Sequence, residues 1–543
     1  EIFTLFIIFF QEFSDRLLDA VFSIKATMQE RCGRIRSLFY LVVLVTLKST
    51  TLAAQNISWL TNAGGTTWDY GNAIAADTNE CIYVSGYFNS PIGNFGNLLL
   101  TNAGFNNGYI AKYDSAGNAL WVRQISGPET HGNGIAIDEQ RNVFVTGSFV
   151  GDTTIGTNAL SCAGEYDVFV AKLDKDGNAI WVRNAGGSYT DYAHCIVTDG
   201  TNCYVGGYFA GTANIGSETL TASNIDAFVM KLDSDGNTVY AKQAGGEDAD
   251  FIRGVGTDAN GNLYVAGYTW SSNMVLGNIS LIRSNASSDV FVAKYDNAGN
   301  CLWARTCGGT GMDAGFALAV SKNGNFFVAG SFQGLANFGN TNLTGGGGFL
   351  AKYDSVGTLL WAQRISAKGS AIFVDAFEDC YITGNFAGTL AFGDTTLSSA
   401  GDADVYIAKI NSDGALQWVT QGGGTNYDEG YGIAVDNLGN CYTTGRFHTA
   451  ASFGNKSLIG YGHSDMFLAR IEPEPPRLQI VIENNEVIVS WADNAPGFIL
   501  ESLEMLQSNS WATVLNTPSI VSGRKWVTNA ASNNSVFYRL RKP

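Results

Sequence analysis

Apolar and polar residues alternate along most of the chain in short runs bounded by turn residues. One stretch contains four such runs in succession, at Gly134–Asp138, Val143–Gly147, Val168–Lys172 and Ala179–Arg183. β-Branched and aromatic residues dominate these runs, as is typical of strands. No stretch of comparable length has apolar residues at the i, i+3, i+4, i+7 spacing of an amphipathic helix. The pattern therefore predicts an all-β protein.

The four-strand pattern recurs seven times, with a period of about 60 residues. A basic residue in the third strand marks each copy: Lys112, Lys172, Lys231, Lys294, Lys352, Lys409 and Arg470. A glycine that ends the second strand marks each copy again: Gly86, Gly147, Gly207, Gly267, Gly330, Gly384 and Gly445. Four short strands per repeat are typical of a propeller blade, whereas one coil of a β-solenoid is usually shorter. The seven copies predict a seven-bladed β-propeller over residues 55–472.

The order of the strands predicts how this propeller closes. With the strands of a blade labelled A to D from the central axis outward, the repeat region opens on a lone D strand, Ile57–Leu60. It ends on a C strand, Met466–Arg470. Pairing the two would complete the last blade and cover an open sheet edge. An N-terminal strand is therefore expected to close the last blade.

The recurring phrases also resemble a known family. Phe-Val-Ala-Lys, the turn Asp-x-x-Gly-Asn, a tryptophan and a Gly-Gly pair follow one another in fixed order. This order resembles the bacterial seven-bladed SBBP β-propeller repeats, over residues 57–472. The resemblance implies a propeller fold and export, because the family occurs in secreted and surface-associated proteins. It implies no catalytic residues.

The two ends of the chain differ from the repeats. Residues 1–54 are predicted to be an upstream extension and a signal peptide that starts at Met28 and has an apolar run at Leu38–Leu47. Residues 473–477 form a Pro-rich linker, and strand candidates in residues 478–543 are similar to a small fibronectin-like β-sandwich. We therefore expect a secreted or cell-surface protein that does not insert into a membrane once the signal is removed.

Charge narrows the range of partners. The chain has 32 Lys and Arg against 49 Asp and Glu, a formal net charge of −17. Nucleic acid and anionic membranes require a basic surface, so neither is expected as a partner. A protein or glycan ligand fits this composition better, and the protein is expected to be a monomer.

Two sets of aspartates recur in the connections that a propeller places around one mouth of its channel. The D-to-A connections carry Asp69, Asp191, Asp250, Asp313 and Asp428, and the B-to-C connections carry Asp167, Asp226, Asp289, Asp404 and Asp465. Such a face would attract cations or basic partners, and oxygen-rich clusters suit calcium. Alternatively, each aspartate bonds backbone amides of a neighbouring loop. The first set is taken as candidate ligand-binding residues, and no cofactor is expected, with calcium as the alternative.

The four histidines fall on the same face: His131, His194, His448 and His463. A metal site or general base could be built there, but no pair has the spacing of metal ligands. His131 and His194 join the candidate ligand-binding residues, whereas no metal ligand and no catalytic residue is assigned.

Other recurring side chains have structural interpretations. The third-strand lysines are expected to form ion pairs or hydrogen bonds with first-strand acids such as Asp138, although Ser321 replaces that acid in the fifth repeat. Cys195 and Cys203 flank one A–B hairpin and could form a disulfide in an exported protein.

These observations favour an exported, non-enzymatic scaffold whose loop-bearing face binds a protein, a glycan or a cation. The chain has no phosphate loop, nucleophile elbow or His-Glu-x-x-His motif. One alternative is a hydrolase or lyase with its active site at the channel mouth, which requires histidines to converge with the aspartates. The other is a purely structural module of the cell envelope.

Overall fold

The computed structural model describes residues 55–283, 287–392, 395–473, 478–483, 486–492, 498–503, 511–521, 524–530 and 536–541. The predicted signal region, residues 1–54, and most of the predicted linker, residues 474–477, lie outside these ranges. Every regular element in the described ranges is a β-strand. None of these ranges contains a helix of the length and apolar character needed to cross a bilayer. The chain divides into two compact units between Pro473 and Glu474, and each unit is described by itself.

In the described residues of the first unit there are forty strands. They are β1 (Ile57–Ala63), β2 (Asp69–Ala76), β3 (Ile82–Phe88), β4 (Ile92–Phe95), β5 (Leu98–Thr101), β6 (Asn107–Tyr113), β7 (Ala119–Ser126), β8 (Glu129–Ile137), β9 (Val143–Val150), β10 (Thr153–Ile155), β11 (Asn158–Leu160), β12 (Asp167–Leu173), β13 (Ala179–Gly187), β14 (Tyr192–Thr198), β15 (Cys203–Ile215), β16 (Glu218–Leu232), β17 (Thr238–Gly245), β18 (Asp250–Thr257), β19 (Leu263–Thr269), β20 (Asn273–Leu276), β21 (Ile279–Ile282), β22 (Asp289–Tyr295), β23 (Cys301–Gly309), β24 (Ala314–Val320), β25 (Phe326–Phe332), β26 (Leu335–Asn337), β27 (Asn342–Thr344), β28 (Gly347–Tyr353), β29 (Leu359–Ile365), β30 (Lys368–Val374), β31 (Cys380–Phe386), β32 (Thr389–Phe392), β33 (Thr395–Ser398), β34 (Asp404–Ile410), β35 (Leu416–Gly423), β36 (Glu429–Val435), β37 (Cys441–Phe447), β38 (Ala450–Phe453), β39 (Lys456–Ile459) and β40 (Asp465–Ile471).

These strands repeat one antiparallel order, A-B-C-D, which we call a blade. Within the described residues the order occurs as β2-β3-β6-β7, β8-β9-β12-β13, β14-β15-β16-β17, β18-β19-β22-β23, β24-β25-β28-β29, β30-β31-β34-β35 and β36-β37-β40-β1, numbered blades one to seven. Each A strand contacts the A strand of the next blade, and β36 contacts β2. The predicted all-β propeller architecture is confirmed.

The N-terminal strand completes the last blade, as the sequence predicted. β1 pairs with β40 from Ile57 opposite Ile471 to Ala63 opposite Met466. Ile57 is buried in the core of blade seven. The Trp59 indole donates a hydrogen bond of 2.8 Å to the Ser115 carbonyl in blade one. One strand therefore joins the two ends of the repeat region.

A short hairpin within the B-to-C connection was not predicted. In blade two it consists of β10 and β11, and β10 pairs with β7, the outer strand of blade one. β15, β20, β26 and β38 make the equivalent contact in later blades. The hairpins therefore connect neighbouring blades by backbone hydrogen bonds.

The expected ion pairs of the third-strand lysines are present in several blades. Lys172 lies 3.9 Å from Asp138, and Lys294 lies 3.3 Å from Asp258. In blade five, where Ser321 replaces the acid, Lys352 instead pairs at 2.7 Å with Glu378 from the next blade. A buried ammonium group needs an anionic or carbonyl partner, and the neighbouring turn supplies it.

The second unit contains the strands β41 (Gln479–Glu483), β42 (Glu486–Ala492), β43 (Ile499–Leu503), β44 (Ala512–Thr513), β45 (Ser519–Val521), β46 (Arg524–Ala530) and β47 (Phe537–Arg541). They form two sheets, β41-β42-β46-β45 and β44-β43-β47. Val489, Trp491 and Val527 from one sheet and Leu500 from the other form its core. The likeness to a fibronectin module stays a prediction.

Candidate functional site

The D-to-A and B-to-C connections lie at the same end of the blades. Backbone bridges join the two kinds of connection, for example Trp68 with Ser464 and Tyr166 with Thr190. We call this end the mouth face. The candidate aspartates and histidines of the sequence analysis lie on it.

The five candidate aspartates of the D-to-A connections are buried, with exposures of 0–1%. Asp191 accepts hydrogen bonds from the backbone amides of Gly187 (2.6 Å) and Ala210 (3.3 Å). Asp428 accepts equivalent bonds from Gly424 and His448. These carboxylates therefore tie the connections to the ends of the B strands, as the structural alternative predicted. They do not form an acidic surface at the mouth.

Each of these aspartates is paired with one of the second set. A Cβ on Gly186 would lie 2.4 Å from Asp167 Oδ1 and 2.9 Å from Asp191 Oδ2, so both carboxyl groups approach the same glycine. The pairs are Asp465 with Asp69, Asp167 with Asp191, Asp226 with Asp250, Asp289 with Asp313 and Asp404 with Asp428. At the two remaining blade junctions both acids are replaced, by Asn107 and Thr130 and by Gly347 and Ala367. At each blade junction the two aspartates are therefore either both present or both replaced.

Burial raises the pKa of these carboxyl groups, and the neighbouring acid raises it further. The pKa of Asp191 rises to about 7, and so does that of Asp465. The pKa values of Asp250, Asp313 and Asp428 rise to about 6. Oδ1 of Asp167 is buried without a hydrogen-bond donor in the described structure. The pairs are therefore expected to hold protons that free aspartates release.

Replacing one member of a pair is expected to change how stability depends on pH. At these pairs the folded state binds more protons than the unfolded state between about pH 4 and pH 7. Their contribution to the free energy of unfolding therefore falls as the pH rises through that window. Asp167→Asn, the residue type at the equivalent Asn107, removes one charge from the pair. We expect the variant to gain several degrees in Tm over the natural protein at pH 8 and little at pH 5.

The comparison between variant and natural protein is needed because buried histidines act in the opposite direction. Burial lowers the pKa of His131, so protonation of the unfolded chain favours unfolding as the pH falls through about 6.5. Asp176→Asn, in an exposed turn, is the control and should shift Tm equally at all pH values. A difference in Tm between Asp167→Asn and the natural protein that is constant from pH 5 to pH 8 would refute the paired titration.

The histidines do not converge with the aspartates. His131 Nε2 lies 3.2 Å from Asn106 Nδ2, and His194 Nδ1 lies 3.1 Å from an Arg253 nitrogen. His448 and His463 pack against Trp68, with ring centroids 5.7 and 5.4 Å away. Among the described residues, no histidine ring is hydrogen-bonded to a recurring aspartate. The described residues therefore do not show the convergence of histidines with aspartates that the hydrolase or lyase alternative requires.

The mouth instead carries a continuous collar of aromatic side chains. We define the aromatic collar as Tyr70, Tyr87, His131, Tyr166, Tyr192, Tyr208, Phe251, Tyr268, Phe316 and Tyr431. Neighbouring members lie 4.6 to 6.4 Å apart between ring centroids, for example Tyr70 and Tyr87 at 4.6 Å. Two cations extend it: Lys368 Nζ lies 4.2 Å from the Phe316 centroid, and the Arg446 guanidinium lies 4.9 Å from that of Tyr70.

The sequence analysis placed His131 in this region but missed the rest of the collar. Its members directly follow recurring residues: Tyr192 follows Asp191, Tyr208 follows Gly207 and Tyr268 follows Gly267. Since neighbouring residues of a strand point to opposite sides, a residue beside a buried aspartate lies on the opposite face of the strand from that aspartate. The aromatic residues beside the recurring aspartates and glycines are a sequence pattern that could have identified the aromatic collar.

Large apolar side chains are also exposed in the connections around the collar. They are Trp68, Phe105, Tyr189, Met312, Tyr427 and Tyr461. The mouth face thus combines aromatic groups, methionine and arginine, which are enriched where proteins bind proteins.

Two further expectations concern cysteines and metals. Cys195 and Cys203 are both free thiols, because Cys203 lies opposite Thr198 and Cys195 opposite Gly206 rather than opposite each other. The disulfide that the sequence would allow between them is therefore absent from this structure. No group of three or more His, Cys, Asp or Glu side chains able to hold a metal was found in the described ranges.

Comparison with known proteins gives relatives of similar repeat type. An uncharacterized WD repeat-containing protein of Acanthamoeba polyphaga mimivirus is 23% identical over 431 residues, covering 60% of this chain and 31% of the relative. The regulatory protein FlaEY of Caulobacter vibrioides is 26% identical over 357 residues, covering 58% and 36%. The chain spans about a third of the length of these curated relatives.

Among solved structures, the phage phi92 endosialidase aligns with a TM-score of 0.39 and 11% identity, over 78% of this chain and 73% of the endosialidase chain. Sqt1 of Saccharomyces cerevisiae aligns with a TM-score of 0.34 and 9% identity, over 78% and 100%. The model of the SBBP β-propeller repeat matches residues 120–148, 239–273 and 417–446. These three segments of the repeat region are therefore similar to the SBBP β-propeller repeat.

Proposed function

We propose that this propeller is an exported binding module that recognises a partner protein at its mouth face. The observation that carries the proposal is the aromatic collar with its rim of exposed apolar groups. Such groups supply most of the binding energy at protein interfaces when a partner covers them. Export follows from the predicted signal at Met28 and belongs to the proposal.

The opposite end of the blades has a different character. Its C-to-D turns carry Asp114, Asp174, Asp233 and Asp296, each of which accepts hydrogen bonds from its own turn. Asp174, for example, bonds the backbone of Asp176 and Asn178. These turns are polar and satisfied locally, which favours the mouth face as the binding surface.

The names of the two curated relatives agree with a binding role, one being a WD repeat-containing protein and the other a regulatory protein. A cation as the principal ligand has less support, because the candidate aspartates are buried and hold backbone amides. A protein partner uses the groups that the mouth actually exposes.

The proposal is tested by selecting displayed random peptides on the purified protein and measuring the affinity of the enriched peptides. We expect Trp68→Ala and Tyr427→Ala to weaken binding at least about tenfold each, since truncating an interface aromatic typically costs over 1 kcal/mol. Leu120→Ala, which removes an equally exposed apolar group from the outer strand β7, is the control and should leave affinity unchanged.

Two results would contradict the proposal. In the first, enriched peptides bind the Trp68 and Tyr427 variants as tightly as the natural protein. In the second, peptide selection yields no binder while a glycan array yields a ligand that the same substitutions weaken. The second result would assign the mouth to a glycan.

A further inference from the structure

The D-to-A connection from blade five to blade six is shorter than the others. Ten residues lead from Trp418 to Asp428, whereas six lead from Trp361 to the equivalent Ala367. The aspartate pair is also missing here, since Gly347 and Ala367 occupy its positions. We call this place the notch. It is the point at which the connection that normally borders the mouth is shortest.

A cation lies directly at the notch. Lys368 begins β30 immediately after the shortened connection, and its side chain is exposed. It occupies the position that Tyr70 and Tyr192 hold in their blades, beside the channel. Its ammonium group rests against the ring of Phe316 in blade five.

A second cation lies farther along the same side of the collar. The Arg253 guanidinium lies 5.8 Å from the centroid of Tyr268, whose ring is 6.4 Å from that of Phe316. A nitrogen of Arg253 lies 3.1 Å from His194 Nδ1. Arg253 Nε and His194 Nε2 are buried and have no hydrogen-bond partner in the described structure. Unsatisfied buried donors of this kind indicate a missing acceptor.

These two cations also lack a counterion. Arg446, the third cation of the mouth, pairs with Glu429 at 2.7 Å. Neither Arg253 nor Lys368 has a carboxylate within 4.0 Å in the described parts of the chain. In a protein with a net charge of −17, carboxylates are abundant, yet the one that acts on Lys368, Glu429, forms its ion pair with Arg446. Of these two unpaired charges Lys368 is exposed and Arg253 is half-buried, and an unpaired charge that is half-buried favours an external anion.

The two cations act on the same space. Partial removal from solvent lowers the pKa of Lys368, the carboxylate of Glu429 raises it, and the charge of Arg253, a smaller effect, lowers it. The rings of Phe316 and Tyr268, which contact the two cations, give the site an apolar surface. A carboxylate held between the cations would relieve their repulsion, and charge-assisted hydrogen bonds of this type are among the strongest in proteins.

We propose that Arg253 and Lys368 form a carboxylate-binding site, filled through the notch by an acidic side chain of the partner protein. The inference rests on the proposed protein-binding function and specifies which partner segment fits. His194 serves as a positioning residue, because its Nδ1 lies 3.1 Å from a nitrogen of the Arg253 guanidinium. The aromatic rings of Tyr268 and Phe316 would cover the aliphatic part of the acidic side chain.

Calorimetric titration with blocked synthetic peptides tests the site. Acetyl-(Glu-Tyr-Gly)₂-amide is the probe, and the same peptide with Gln in place of Glu is its uncharged match. We expect the Glu peptide to bind at least about tenfold more tightly at low salt, with the difference shrinking as salt is added. Lys368→Gln and Arg253→Gln should each reduce its affinity about tenfold and leave the affinity of the Gln peptide unchanged.

Lys322→Gln is the matched control, because Lys322 is exposed in an A-to-B turn on the opposite face. It should bind the Glu peptide like the natural protein, and an unchanged Tm of Lys368→Gln would show that the exposed substitution leaves the fold intact. A Glu peptide that does not bind, or that binds no better than the Gln peptide, would overturn the proposal. So would Lys368→Gln and Arg253→Gln variants that bind it undiminished.

The test separates this inference from the proposed function. Peptides selected on the natural protein that depend on Trp68 but carry no acidic preference would leave the protein-binding role standing and refute the carboxylate site. Tighter binding of a phosphoserine peptide, with no binding of the Glu peptide, would also refute it and assign the cations to phosphate.

Discussion

A chain that lacks residues 55–63 is expected to lose the cooperative unfolding transition of the propeller. Without β1, the C strand β40 becomes an open edge, and the apolar groups around Ile57 in blade seven are exposed. The contact from Trp59 to blade one is lost as well. Their combined contribution is comparable with the about 5–15 kcal/mol that stabilises a typical domain. Calorimetry and analytical ultracentrifugation measure the loss and the resulting aggregation.

A milder change at the same junction keeps the protein foldable. Ile57→Ala removes a side chain that is 1% exposed and is expected to cost about 2–5 kcal/mol in the free energy of unfolding. Ser58→Ala, on the same strand and half-buried, is the control; it removes one hydrogen bond of 3.3 Å to the Arg470 carbonyl and should lower this free energy by no more than about 1 kcal/mol. An Ile57→Ala variant as stable as Ser58→Ala would show that β1 does not complete the core of blade seven.

Gly267→Ala is expected to destabilise blade four strongly. A Cβ at this position would lie 1.8 Å from the carbonyl oxygen of Phe251, where a bulge in the A strand brings the two backbones together. Neither backbone can move without disturbing the strand pairing. We expect a loss of about 3 kcal/mol in the free energy of unfolding, measured by urea denaturation.

Gly93→Ala provides the comparison for this substitution. Its Cβ would first meet side-chain atoms of Phe88, at 3.1 Å, which can yield by a small rotation. The loss there should be well under half of that at Gly267. Equal losses at the two positions would mean that the backbone contact does not explain why glycine recurs at this place in every repeat.

The fold could be predicted largely because the same local pattern is repeated. Seven copies of one basic residue and one glycine fixed the strand order, and the lone strand at Ile57 could only complete the last blade. The hairpins such as β10–β11 were missed because their strands have three or four residues and pair with the preceding blade, a contact that strand periodicity does not reveal.

The candidate site was predicted only in part. The sequence placed His131, His194 and the aspartates on the correct face, but it could not distinguish carboxylates that face solvent from carboxylates that hold loops. That distinction depends on backbone amides such as that of Ala210, nineteen positions after Asp191. The cations Arg253 and Lys368 occur in one blade each, so a search for recurring residues passes over them.

Amide hydrogen exchange of β1 tests the central claim, that the repeats form a propeller closed by the N-terminal strand. Residues 119–126 of β7, the equivalent D strand of blade one, provide the internal reference. If β1 closes the propeller, the amides of residues 57–63 in the intact protein should exchange at rates within about tenfold of that reference. The amides of β40 should be protected to the same degree. The claim would be contradicted if residues 57–63 exchanged at the rate of an unfolded peptide and if, in β40, only the amides that face β37 were protected.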